Sequence, residues 1–149
     1  MFVKATHGGV IQMNPENTKH LLEKYPEIFA QHKLPITQTA MCWLFECGDG
    51  WYVIIDTLCG LIQHYIEGLP GEMVEATQVK EKYGGLRFYI NGGDDYVDGL
   101  IAFAEELSLR TCEQCGSTDG VTQTKGWVYT LCRQCLFDRD MAQYGSVDD

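Results

Sequence analysis

Two cysteine pairs are the residues best placed to do chemistry in this chain. Cys112-Glu113-Gln114-Cys115 is followed, sixteen residues on, by Cys132-Arg133-Gln134-Cys135. Two CxxC pairs 15–20 residues apart form a four-thiolate zinc spacing. A tetrahedral Zn²⁺ takes four sulfurs at about 2.3 Å, and a two-residue gap lets each pair curl around one side of the ion. Gly116 permits the tight turn after the first pair. The pattern predicts one structural Zn²⁺ per chain, held by Cys112, Cys115, Cys132 and Cys135. A catalytic zinc keeps an open position and commonly uses His or carboxylate ligands. Here four thiolates close the shell, and the four histidines (His7, His20, His32, His64) all lie far upstream.

Disulfides are the competing use of these cysteines. The chain has seven, an odd number that fits reduced thiols better than a disulfide framework. No apolar signal segment is visible near Met1, and no run reaches the roughly 18 apolar residues of a membrane span. The expected location is therefore cytoplasmic. Cys42, Cys47 and Cys59 have no ligand spacing and are expected to pack as small apolar side chains.

A second cluster is cationic and aromatic: Lys80, Lys82, Tyr83, Arg87 and Tyr89. On a solvated hairpin face these residues suit contact with a partner's carboxylates or with phosphate, since Arg and Tyr are common interface anchors. Asp94, Asp95 and Asp98 form a carboxylate cluster. It is read as capping and dipole complementation in a helix's first turn. Among recognised catalytic motifs there is no G-x-S-x-G, no P-loop and no H-E-x-x-H. A ββα nuclease would need a histidine after residue 64, and none is present.

The formal charge is −10 over 149 residues. Four thiolates and one Zn²⁺ would add about −2 more. Residues 108–149 carry four cations against six carboxylates, so the zinc region lacks the basic footprint of most nucleic-acid-binding modules.

The elements that must hold these residues follow from pattern. Asn14-Pro15 starts a helix, with Leu21, Leu22, Tyr25, Ile28 and Phe29 apolar and Pro26 breaking it. Asp49 is expected to cap a helix over about 50–67. Its stripe is Trp51, Ile54, Ile55, Leu58, Leu61, Ile62, Tyr65 and Ile66, and Gly68 stops it. Residues 73–90 read as an antiparallel hairpin turning at Gly84-Gly85, with Phe88 and Ile90 buried and Arg87 and Tyr89 solvated. Asp94 or Asp95 caps a third helix whose Tyr96, Val97, Leu100, Ile101, Ala104 and Leu107 face inward. Gly120–Thr124 and Trp127–Leu131 flank a Lys125-Gly126 turn, and a helix starts at the second pair, with Leu136, Phe137, Met141 and Tyr144 apolar and Gly145 as its stop. Knuckle, hairpin and helix make a treble-clef-like site; a zinc ribbon, with strands replacing the helix, is the alternative.

The predicted fold is α+β, a single compact domain with helices packed on a small antiparallel sheet. Residues 1–107 form the core, 108–145 the zinc-binding subdomain without a linker between them, and 146–149 a frayed tail.

Three stretches carry a resemblance: Gln78-Val-Lys-Glu-Lys-Tyr-Gly-Gly-Leu-Arg-Phe-Tyr89, Cys112-Glu-Gln-Cys-Gly116 and Gly126-Trp-Val-Tyr-Thr-Leu-Cys132, joined by Glu46-Cys-Gly-Asp-Gly-Trp51 and the helix after it. With them the chain resembles small zinc-binding accessory proteins of phages and prophages, over roughly residues 42–135. The resemblance implies expression in a host bacterial cytoplasm and a role in handling a host factor, including a defence factor. It supplies no catalytic residue. The expected function is therefore that of a non-enzymatic, zinc-stabilised protein that binds a host protein, such as a defence factor, with inhibition of that protein as one outcome of binding and plain binding as the other. A nucleic-acid-binding zinc module and an acidic DNA mimic are the alternatives.

Overall fold

Asn14 fixes the first helix. Its side chain accepts the Asn17 N–H at 2.7 Å, and Pro15 occupies the first turn of α1 (Pro15–Lys24). We describe a computed structural model in which residues 6–7 and 10–144 are placed; the expected Gly145 stop and the tail lie outside the described residues. Ahead of α1, β1 (Thr6–His7) and β2 (Val10–Ile11) make a short antiparallel pair that the sequence pattern did not announce. Pro26 ends helical geometry as expected, and the chain continues through a 3-10 turn at Ala30–Lys33.

The sheet is mixed, which corrects the expectation of a purely antiparallel one. β3 (Phe45–Glu46) runs parallel to β4 (Val74–Lys82), and β4 pairs antiparallel with β5 (Gly85–Gly92). A two-residue strand leaves no periodicity to read, so its direction was invisible in sequence. The hairpin turns at Tyr83-Gly84, one residue earlier than predicted. Tyr83 has φ 53° and Gly84 φ 81°, the two left-handed positions of a two-residue turn matched to strand twist. The alternation holds: Val79 and Phe88 pair on the buried face, and Lys80 and Arg87 pair on the other.

A register shift between Ala76 and Gln78 lets the Ala76 N–H donate to the Ile28 carbonyl at 2.7 Å. That bond seats the segment after Pro26 on the sheet. Phe29 then packs edge-on against Phe45 (4.9 Å) and Phe88 (6.3 Å), joining this segment to β3 and β5.

Helix α2 (Tyr52–Glu67) lies across this core, burying Ile54, Ile55, Leu58, Cys59 and Ile62. Leu61 is exposed rather than inward. Asp49 does not cap α2. It sits in a 3-10 turn (Asp49–Trp51), and its carboxylate accepts from the Asn14 N–H at 2.8 Å, tying the start of α1 to the start of α2. Helix α3 (Asp95–Ser108) is capped by Asp94, which accepts from the Val97 N–H at 3.1 Å and from the Tyr65 hydroxyl at 2.6 Å. Val97, Ile101 and Ala104 are inward, but Tyr96 and Leu107 are exposed. The helix also seals the outer edge of β5. The Leu86 N–H donates to Ser108 Oγ and the Phe88 N–H to Glu105 Oε2, so two ladder donors are spent on α3.

After α3 come β6 (Thr122–Gln123), β7 (Thr130–Leu131) and α4 (Arg133–Tyr144). A helix, not a strand, follows the second cysteine pair. Of the apolar residues expected on α4, Phe137 and Met141 are exposed, while Leu136 packs on the cysteine cluster together with Val121 and Tyr129.

The two first helices are clamped by Tyr25, whose hydroxyl donates to Asp56 Oδ1 at 2.6 Å while Lys24 pairs with the same carboxylate at 3.0 Å. Burial, then the hydrogen bond to Asp56, pushes the Tyr25 pKa from 10.0 to about 12. A folded pKa above the unfolded one contributes stability below pH 10 that is lost between about pH 10 and 12. Tyr25→Phe is expected to cost about 1–2 kcal/mol at neutral pH, and to flatten that alkaline loss in urea titrations run from pH 8 to 12.

Candidate metal centre and the groove beside it

The four cysteine sulfurs lie within 4.8 Å of one another. Cys115 and Cys132 Sγ are 3.7 Å apart. Sulfurs bound tetrahedrally at about 2.3 Å are about 3.8 Å from each other, so the spacing suits zinc. No disulfide links them. Cys112, Cys132 and Cys135 are buried and Cys115 is exposed, so the cluster has one open side toward solvent. The donor set is four thiols, as predicted, and it fits a structural zinc.

Backbone geometry shapes each pair. The Gly116 N–H donates to the Cys112 carbonyl at 2.9 Å and the Cys112 N–H to the Ser117 carbonyl at 2.8 Å, closing the first turn, with Gly116 at φ 83°. The Ser117 N–H points at Cys115 Sγ and the Cys135 N–H at Cys132 Sγ, both at 3.4 Å. Such donors favour thiolate over thiol. At Cys132 partial burial pushes the thiol up, but the Cys135 N–H and the neighbouring sulfurs outweigh it and the pKa falls below its ordinary value. Burial raises Cys115 and Cys135. Zinc binding must therefore displace protons from part of the set.

The cluster is anchored to the core by backbone contacts that the cysteine spacing does not reveal. The Gly50 N–H donates to the Glu113 carbonyl at 2.7 Å, and the Gly48 N–H to Glu113 Oε2 at 2.9 Å. Trp51, fully buried, donates from its indole to the Thr111 carbonyl at 2.9 Å. A Cβ on Gly50 would lie 2.0 Å from the Cys112 carbonyl oxygen, and one on Gly48 2.4 Å from that of Glu113. Only glycine fits at either position. The stretch Glu46-Cys-Gly-Asp-Gly-Trp51 is thus the seat of the knuckle. Its signal in sequence was the G-x-G-W pattern just before a strong helix, which reads equally well as an ordinary turn.

The zinc hairpin reaches a second seat. Thr130 donates its hydroxyl to the Gly84 carbonyl at 2.5 Å, and its own carbonyl accepts the Glu113 N–H at 3.0 Å. A Cβ on Gly84 would meet Val128 at 2.6 Å. The tips of the two hairpins, at Tyr83 and Trp127, are therefore held side by side. Between them runs a groove of about 520 Å³ lined by Lys80, Lys82, Tyr83, Trp127, Tyr129 and Glu46, among others. Tyr83 and Trp127 are 76% and 75% exposed, which is unusual for such large rings and marks the rim.

Of the residues predicted for partner contact, Lys80, Lys82 and Tyr83 line this groove. Arg87 sits directly opposite Lys80 on the same sheet face, and Tyr89, exposed, lies opposite Gln78. Trp127 was missed as a candidate because it was read only as part of a strand. The other predicted candidates have structural uses. Asp94 is the α3 cap, Cys47 and Cys59 are buried with thiols pushed well up by desolvation, and Cys42 donates to the Thr39 carbonyl. No helix of the described residues is long and apolar enough to cross a membrane.

Metal analysis is expected to find one zinc per chain, and calorimetry in buffers of different ionisation enthalpy should show proton release on binding. Cys132→Ser should unfold the 108–135 region, since structural zinc contributes on the order of 10 kcal/mol in small peptides; unchanged amide exchange there would remove the metal from the fold. Gly50→Ala should cost about 3 kcal/mol by overpacking and weaken zinc retention against a chelator, although no cysteine is touched. Comparison with protein-family models, curated proteins and solved structures finds no match to this chain, so its functional reading rests on this geometry.

Proposed function

We propose that the chain is a non-enzymatic binding protein in which a treble-clef-like zinc site is a staple and the groove between the Tyr83 and Trp127 tips is the recognition surface. The observation that carries this reading is the Thr130–Gly84 contact. It couples the metal-bearing hairpin to the hairpin that bears Lys80 and Lys82. A four-thiolate zinc has no vacant position for substrate, so the metal's part is to hold the groove's two walls in register.

Tyr83 supports a recognition role on its own. A non-glycine residue in the left-handed region costs roughly 1 kcal/mol, and Asn or Gly is the usual occupant of such a turn. Yet the ring is largely exposed, with the Lys82 ammonium over its face at 5.6 Å. Strain kept without a packing return points to use of the exposed ring.

The resemblance to phage and prophage accessory proteins makes a protein of the bacterial host, such as a defence factor, the proposed partner, met in the cytoplasm. A nucleic acid is the second reading, favoured by the cations Lys80, Lys82 and Arg87 on one face beside aromatic rings. Zinc-loaded protein should capture a saturable partner from host lysate. Lys80→Glu/Lys82→Glu should lower capture about tenfold, and chelation should abolish it. Capture indifferent to both changes would move recognition elsewhere on the molecule.

A further inference from the structure

We propose that Cys115 is an oxidation site. A hydroperoxide reacts at its sulfur, Cys132 resolves the product as a disulfide, and the four-thiolate set is dismantled. The loss of metal then frees α4 and leaves the hairpin ahead of it closed.

Access singles out one sulfur of the four. Susceptibility to oxidation follows thiolate character and exposure. A sulfur that coordinates zinc is deprotonated outright, so in the loaded site all four qualify and exposure decides between them. Cys112, Cys132 and Cys135 are buried, whereas Cys115 is exposed. The other three cysteines of the chain are poor competitors. Cys47 and Cys59 are buried, and half-buried Cys42 donates its thiol to the Thr39 carbonyl at 3.3 Å.

Distance names the resolving partner. Cys132 Sγ lies 3.7 Å from Cys115 Sγ, across the base of the hairpin. The chemistry closes in two steps. The Cys115 thiolate attacks one oxygen of the O–O bond, forming a sulfenic acid and releasing hydroxide or alkoxide. The Cys132 thiolate then attacks the Cys115 sulfur, forming the S–S bond and expelling hydroxide. Two electrons pass from the sulfurs to the peroxide, and water protonates the leaving oxygens. Cys112 and Cys135 remain, one from each pair, and two sulfurs do not fill a tetrahedral shell.

Attachment sets the consequence. The first knuckle has a seat that needs no metal, the Gly48 and Gly50 N–H bonds to Glu113. The hairpin has two more, Thr130 to the Gly84 carbonyl and the Gln123 amide to the Leu109 carbonyl at 2.8 Å. A Cys115–Cys132 disulfide holds the hairpin's ends together as the metal does. Helix α4 is placed differently. It meets the fold at the cysteine cluster, where Leu136 packs, and at the Arg139 guanidinium over the Tyr129 ring at 4.0 Å. Once Cys135 has no metal to hold it, the first attachment is weakened. Tyr129 also lines the groove, so a departing Arg139 uncovers one of the groove's own rings.

The test titrates the zinc-loaded full chain with hydrogen peroxide. A chromogenic chelator reads the metal released, and peptide mass spectrometry after alkylation maps the disulfides. One zinc should appear per disulfide formed. The map should join Cys115 to Cys132 and find Cys42, Cys47 and Cys59 alkylated as free thiols. Amide exchange should rise through α4 and stay slow over 122–131. Dithiothreitol with added zinc should restore the starting state. Cys115→His keeps a donor set of three cysteines and one histidine, which suits structural zinc, but removes the oxidisable sulfur; its release should be about tenfold slower. Cys135→His keeps the Cys115–Cys132 contact and should release at the parent rate. Should either variant fail to load zinc, the disulfide map of the unaltered chain still decides. Zinc retained through excess peroxide, a disulfide within one pair, Cys42 oxidised ahead of the cluster, or parent-rate release from a loaded Cys115→His would each overturn the proposal. So would exchange that rises over 122–131 together with α4. None of these readouts uses a partner, so they are independent of whether the groove is the recognition surface.

Discussion

The contact on which the rest of the molecule depends is backbone against backbone. Gly48 and Gly50 approach Cys112 and Glu113 so closely that no side chain could stand between them. Two N–H groups of one turn donate to the main chain and carboxylate of the other, and the Trp51 indole adds a third bond to Thr111. All of these donors are buried, and a buried donor left unpaired would cost about 1–3 kcal/mol. The two turns therefore stabilise each other's conformation. The 48–51 turn starts α2 and the 112–116 turn starts the cysteine cluster, so helix packing and metal geometry share one joint.

From that joint, order passes outward in two steps. Glu113 gives its N–H to the Thr130 carbonyl, and Thr130 gives its hydroxyl to Gly84. Each link is short-range, yet together they connect residues that are 65 and 46 positions apart in sequence. Contacts of such separation are entropically expensive to close. A tetrathiolate metal offsets that cost locally, because it fixes both ends of the 112–135 segment at once. This explains why a binding surface with no ligand atom of its own would still depend on zinc.

Sequence made the local parts legible and left the long-range parts dark. The Asn14-Pro15 start, the stripe of α2, the β4–β5 alternation and the four cysteines each follow from spacing within one element, and each is where it was expected. The errors share a cause. Asp49 looked like a cap for α2 because it precedes that helix, but its carboxylate is drawn to the Asn14 N–H instead. Leu61 and Leu107 fit a helical period yet are exposed, and Tyr96, although stacked on Tyr65 of α2, stays exposed as well. The parallel partner of β4 is a two-residue strand, too short for any period. Trp127 looked like one more strand residue until the docking of Gly84 against Val128 placed it beside Tyr83. Which residues meet across the fold was the missing information, and the candidate groove is made wholly of such meetings.

The net charge bears on what the groove can meet. A chain at −10 repels anions at long range, but at physiological ionic strength the Debye length is about 8 Å. Charges on the far side of the molecule are screened at that scale, so close contact is decided by the side chains of the groove itself. There Lys80 and Lys82 stand with Glu46 and Glu81, and Arg87 lies outside the lining on the same sheet face as Lys80. An extended polyanion would have to cross those carboxylates as well as the acidic zinc end, so its repulsion grows with length faster than its attraction to two lysines. A groove balanced in charge and rimmed by two exposed rings would select by the pattern of its charges and by the rings rather than by net charge.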